Sequence, residues 1–205
     1  MINPEPEIRR LLDLMPASSR MSTKIVSKPT QPQLISSPFP LPWTQDRRVQ
    51  INFELWSRLP RPQRDLLLLH QVSWLGLIRW FKPDLYQGLA AAGIAGAAFE
   101  VFQADAVGVL MAGTMTAIAG LQIWRTSRSS RLEIEADEVA LRVAVRRGYD
   151  EPDAARHLLA AIESVVAIEG RSGLDFTELI RSQNLRVRAG LSAMEVPETI
   201  RQSSD

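Results

Sequence analysis

QRDLLLLHQVSWL, residues 63–75, is the stretch on which the reading of this chain turns. Four leucines run unbroken from Leu66 to Leu69, His70 and Gln71 follow, and Trp74 stands one turn beyond the histidine. A helix that is apolar on every side has no face for water and belongs inside a core. Pro60 and Pro62 suit its start, where a missing N–H costs nothing, and Pro83 suits its end. A lone histidine in such a helix has two readings. It is a core residue paired with an acid such as Glu133 or Glu135, or it is a metal ligand.

Upstream, RRVQINFELW (47–56) alternates, with Val49, Ile51, Phe53 and Leu55 on one side and Gln50, Asn52 and Glu54 on the other. That predicts a half-buried strand. Residues 16–46 hold Pro29, Pro32, Pro38, Pro40 and Pro42 and read as an extended or irregular linker, with Phe39 and Trp43 as a clasp. Ile8, Leu11, Leu12 and Met15 fall at helical spacing. They predict a short amphipathic helix, packed either on its own domain or on a partner or membrane surface.

Downstream lies the most apolar part of the chain. Leu85–Phe102 carries a single charge, Glu100, and Ala106–Trp124 carries none. Each piece approaches the roughly 20 residues that cross a bilayer core. Arg79 and Lys82 precede the pair, and Arg125, Arg128 and Arg131 follow it. A transmembrane hairpin with both termini and the globular part cytoplasmic follows from the positive-inside rule. Gly88, Ala92 and Gly96, and Gly108, Ala112, Thr116 and Gly120, form smooth stripes for close helix approach. A soluble, buried helical pair fits the same pattern.

Three more helices are expected. RLEIEADEVALRVAVRRG (131–148) has Leu132, Ala136, Val139, Ala140 and Val143 as its apolar face and Gly148 as its cap. The helix after Tyr149 turns Leu158, Leu159, Ile162 and Val166 inward and stops at Gly170. A short helix in LDFTELIRSQNLRVRAG and a frayed tail end the chain. Asp137 is expected to bond a backbone group or an arginine such as Arg142 or Arg146.

Composition narrows the function classes. With 45% hydrophobic and 23% charged residues, most of the chain can fold. A net charge of +1 without a basic block argues against nucleic acid. The absence of cysteine removes disulfides, thiolate metal sites and thiol nucleophiles. MINPEPEIRR has no apolar run of the kind a cleavable signal peptide carries.

A strand, a helix with His70, an apolar hairpin, then EIEADEVAL and RRGYDEPDAARHLL stand in an order that resembles the HtpX-like and CAAX-prenyl-protease-like zinc metallopeptidases, the gluzincins. The resemblance spans 47–165. It places His70 on the first zinc ligand and Glu133 on the third. Ala136 and Asp137 match the Ala-Asp that follows, and Gly148, Tyr149, Asp150, Ala154 and Ala155 match the downstream segment. Gln71 stands where that family has its catalytic glutamate, and an amide cannot take a proton from a bound water. Trp74 stands where the second histidine belongs, and indole only donates. Two ligands remain of the three that catalytic zinc requires. The resemblance therefore implies a scaffold without its active site. His70 and Glu133 are vestigial ligand positions, Gln71, Trp74 and Asp137 mark a structural site, and no catalytic residue, cofactor or metal is expected.

LLDLMPAS, KIVSKP, QRDLLLL, KPDLYQGL and DAVGV also resemble the recurring phrases of an uncharacterised cyanobacterial family. That resemblance implies a thylakoid or plasma membrane setting. The expected fold is mainly α with a small β element. Residues 1–46 form an amphipathic helix and Pro-rich linker, 47–190 a degenerate gluzincin-like helical domain with the apolar hairpin 84–124 inserted, and 191–205 a flexible tail. The expected function is a non-enzymatic, membrane-anchored protein that binds a membrane protein or complex, with no nucleic acid and no small-molecule substrate identified. The alternatives are a zinc metallohydrolase whose site is rebuilt from His70, Glu133 and His157 or Glu135, and a soluble helical interaction domain.

Overall fold

A computed structural model describes residues 4–40, 46–78 and 130–191. The chain divides into two units, one of Met1–Gly76 with Glu133–Asp205 and one of Leu77–Leu132. The first is mainly helical with a small three-stranded sheet. Its elements are α1 (Glu5–Leu14), α2 (Ala17–Ser22), β1 (Thr23–Ser27), β2 (Ile35–Ser36), β3 (Arg47–Ile51), α3 (Phe53–Trp56), α4 (Arg61–Leu77), α5 (Ser130–Arg146), α6 (Glu151–Ile168) and α7 (Phe176–Arg188). The expected hairpin 84–124, the Trp43 half of the clasp and the tail beyond 191 lie outside the described residues. Among the described residues no helix is long and apolar enough to cross a membrane.

The leucine run forms the central helix. In α4 every residue from Asp65 to His70 is buried, as are Val72, Ser73, Trp74 and Leu75. A helix closed on all sides needs neighbours on all sides, and this one buries two ionisable groups, Asp65 and His70, each of which needs partners inside.

The segment 16–46 is not a linker. It contributes α2, β1 and β2 to the same unit as α4. β1 pairs in parallel with β3 from Thr23↔Arg47 to Ser27↔Ile51, and β2 pairs antiparallel through Ile35↔Ile51. The strand order is β1-β3-β2. The prolines punctuate the strands without entering them. β1 ends before Pro29, and β2 lies between Pro32 and Pro38.

The strand expected over 47–56 ends at Ile51. Asn52 stops it by capping α3: its Oδ1 accepts from the Glu54 and Leu55 N–H groups at 3.1 and 3.4 Å. Its Nδ2 donates to the Pro29 and Gln31 carbonyls at 3.0 Å each, so one buried amide joins the 28–34 loop to the start of α3. Phe53 and Trp56 are then buried at helical spacing, while Leu55 is only half-buried.

Of the two readings of the N-terminal helix, packing on its own domain is what the structure has. Leu11 and Met15 are fully buried. Glu7 accepts from Arg10, Arg64 and the Trp56 indole. Arg147 closes the C-terminal end of α1 by donating to the Leu14 and Met15 carbonyls at 3.0 and 2.8 Å.

Helix α5 is rotated from the face expected of it. Ala136, Asp137, Ala140, Leu141 and Ala144 are buried, and Val139 and Val143 are half-buried. The rotation turns Asp137 inward, at the cost of valine burial. Gly148, with φ of 94°, takes the left-handed turn between α5 and α6. Leu158, Leu159, Ile162 and Val166 of α6 are buried as expected. Asp175 and Glu178 form a reciprocal capping box that starts α7.

Candidate functional site

His70 lies in the middle of α4, and its two ring nitrogens meet two carboxylates from α5. Nε2 is 3.0 Å from Glu133 and Nδ1 is 2.7 Å from Asp137. Glu133 and Asp137 are one helical turn apart, so both project towards the same neighbour. The fourth member is Arg181, from the buried face of α7. Its Nε and Nη2 donate to the two Asp137 oxygens at 2.9 and 2.7 Å, a bidentate pair. Its Nη1 is 3.6 Å from Glu133. The tetrad thus joins α4, α5 and α7.

The geometry sets the proton positions. With carboxylates against both nitrogens, the imidazole must donate from both to avoid opposing two acceptors. This arrangement favours the imidazolium, in keeping with the raised pKa of His70. Arg181 Nη2 lies 3.1 Å from His70 Nδ1, and both are within hydrogen-bond distance of the same Asp137 oxygen. Two cations then face two anions, and the cluster is neutral.

The acid–base behaviour follows. Burial and the Arg181 charge push the His70 pKa down, but Asp137 and Glu133 together outweigh them and hold it above the ordinary value. Burial raises Asp137, and His70 and Arg181 more than reverse this, to about 2. Glu133 is lowered in the same way, against its own burial. An imidazolium locked between two carboxylates has no lone pair with which to bind a metal or take a substrate proton.

Zinc, which the peptidase resemblance implies, does not fit these residues. A catalytic zinc needs three protein ligands. Here the Nε2 position facing Glu133 holds a proton, and a guanidinium lies 3.6 Å from the same carboxylate. Trp74 is buried, and its Nε1 has no hydrogen-bond partner among the described residues. Gln71 is half-buried. Among the described residues no group of three or more His, Asp or Glu side chains could hold a metal. Glu135 is exposed, and His157 stands edge-on to Tyr149, so neither extends the site.

Sequence reasoning set His70 beside Glu133 or Glu135, gave Asp137 a separate partner, a backbone group or an arginine such as Arg142 or Arg146, and missed Arg181. Arg142 and Arg146 are exposed. A signal for Arg181 existed: it shares a helix face with Leu185 and Ala189, and two acids beside one histidine, one of them buried, call for a second cation.

A second buried acid, Asp65, has its own network. Arg10 donates to one of its oxygens at 2.5 Å and the Tyr149 hydroxyl to the other at 2.8 Å. Burial and the hydrogen bond to Asp65 push the Tyr149 phenol up to about 12, although Arg10 and Arg61 pull it down.

No solved structure matches the chain. A thylakoid membrane protein, slr1949, of Synechocystis sp. (strain ATCC 27184 / PCC 6803 / Kazusa) is 27% identical over 164 residues, covering 78% of this chain and 76% of that protein. A family model described as "Protein of unknown function (DUF3318)" matches residues 9–149, which contain His70, Glu133, Asp137, Asp65 and Tyr149 but not Arg181. With more than half of its length matched, the chain belongs to the DUF3318 family.

Proposed function

We propose that this protein is a non-enzymatic membrane component, anchored by the apolar segment 84–124 and presenting its helical unit to a protein of the same membrane. The observation that carries the partner half is the outer face of α7. Phe176, Val187 and Leu179 are 74%, 69% and 44% exposed there, and Leu191 beyond the helix end is 42% exposed. The same helix spends its inner face on Arg181 and Ser182. A helix that leaves large apolar side chains outside while burying an arginine and a serine is built to be covered.

The non-enzymatic half rests on the closed tetrad. Every one of its charges is paired, which suits a staple between helices and leaves none of its own groups for catalysis. The anchor rests on the composition of 84–124 and on the thylakoid membrane protein to which the chain is similar. The implied location is a thylakoid or plasma membrane. One observation supports descent from a zinc-binding scaffold: Glu133 faces His70 Nε2 and a carboxylate backs Nδ1, as in sites that orient a ligand histidine.

Two measurements test the proposal. Carbonate extraction of membranes from cells expressing the full chain should leave it in the pellet, and its release to the supernatant sinks the anchor. A photo-crosslinker at Val187 should give a discrete adduct in those membranes, with a control at exposed Arg58 giving none. Equal yields at the two positions reject α7 as the contact face.

A further inference from the structure

Between the C-terminal end of α1, the start of α4 and the α5–α6 turn lies a surface cavity of about 490 Å³. Its walls include Arg10, Asp13, Leu14, Arg61, Asp65, Arg147 and Tyr149. It is separate from the His70 tetrad and from the outer face of α7.

Its charges are unevenly used. Arg10 is spent: Nε and Nη2 go to Glu7 and Nη1 to Asp65. Asp65 is likewise closed, by Arg10 and by the Tyr149 hydroxyl. Asp13 is 79% exposed and is paired with Arg20. Two cations are left. Arg147 bonds only main-chain carbonyls, through Nε and Nη2, so no carboxylate offsets its charge, and its Nη1 makes no hydrogen bond among the described residues. Arg61 is exposed and makes no hydrogen bond or ion pair among the described residues, yet its charge reaches the Tyr149 phenol.

Two guanidiniums without a carboxylate partner among the described residues, Arg61 and Arg147, face one cavity beside an aromatic ring and a leucine. The guanidinium fork suits a doubly bonded oxyanion. The volume lies in the range of small-molecule sites and exceeds what a bare oxyanion fills. We propose that this cavity binds the phosphoryl group of an organic phosphate, with Arg61 and Arg147 on its oxygens and Tyr149 and Leu14 against the organic part. A soluble phosphate ester and a phospholipid headgroup share that chemistry. The proposal does not depend on the membrane reading.

The test is calorimetric titration of the full chain in neutral detergent micelles. The probes are glycerol 3-phosphate, dihexanoyl phosphatidic acid and, as the neutral-headgroup control, dihexanoyl phosphatidylcholine. At least one of the first two should bind, with the control weaker, and Arg61→Glu should weaken that binding roughly tenfold or more, the loss of one charge-assisted contact. Arg61 has no partner to lose among the described residues, so the variant should keep the wild-type melting temperature. Arg147→Lys, which keeps the charge and loses the fork, should weaken it less. Binding of phosphatidic acid alone names the headgroup as the source, and binding of glycerol 3-phosphate alone names a soluble ester. Failure of both, or equal affinity in wild type and a folded Arg61→Glu, overturns the proposal.

Discussion

Arg181→Met removes one cation from a buried neutral tetrad and keeps most of the side-chain volume. Asp137 loses two hydrogen bonds, at 2.9 and 2.7 Å, and keeps only the imidazolium donor, with its side chain 6% exposed. Breaking a buried pair from one side costs about 3–5 kcal/mol, because the remaining charge has no water to turn to. For a chain of this size each kcal/mol lowers the melting temperature by roughly 2–4 °C, so the expected fall is about 6–20 °C. Urea unfolding followed by tryptophan fluorescence measures it, since Trp56 and Trp74 are buried in the same unit. The midpoint should fall with an unchanged slope. The double variant Arg181→Met with Asp137→Leu should recover at least half the loss, because the orphaned charge is gone. A single-variant loss below about 1 kcal/mol, the worth of an exposed ion pair, would refute the reasoning. A double variant no better than the single one would place the loss in packing instead of charge.

Three further outcomes are expected. The folded pKa of His70 is raised, so its contribution is complete below its ordinary 6.5 and is lost as pH rises through the folded value, whereas that of Asp137 is present above its ordinary 3.8 and lost as pH falls towards about 2. Urea midpoints across that range should form a plateau that declines on the alkaline side, and His70→Gln should flatten that decline; a midpoint that climbs with pH contradicts it. Asn52→Ala removes a cap and two loop bonds at once and should cost about 2–4 kcal/mol, with faster amide exchange in 28–34; unchanged exchange there means the loop is held by something else. Zinc in excess should leave the unfolding midpoint where it was, and a rise near the roughly 2.7 kcal/mol that linkage gives at a hundred times Kd would show a tight site.

The parts of the fold legible in the sequence were those whose pattern is local. The leucine run, the inward face of α6 and the cap at Gly170, with φ of 68°, all follow from neighbours along the chain. The sheet did not, because its pairing is distant: Thr23 meets Arg47, and nothing in TKIVS alone announces a partner beyond five prolines. The end of β3 was legible but overruled. Alternation continues through Phe53 and Leu55, yet Asn52 is a favoured cap residue, and the cap decided the matter. Hydrophobic periodicity misled at α5, which turns an ionisable residue, Asp137, towards the core. Helix α7 does the same with Arg181 and leaves Phe176 and Val187 outside. Periodicity assumes that burial follows hydrophobicity, and a buried ion cluster inverts that locally.

The same inversion explains how His70 can lie between two carboxylates without holding a metal. Two carboxylates taken out of water need two positive charges near them. A zinc ion would supply both at one point. Here one comes from the second proton of His70 and the other from Arg181, at separate points. Asp137 can therefore be held by two donors while Glu133, with its side chain 23% exposed, keeps some contact with water. A metal entering at Nε2 would have to displace that proton and lie beside a guanidinium 3.6 Å from its carboxylate ligand. The cluster therefore ties α4, α5 and α7 together through its own paired charges.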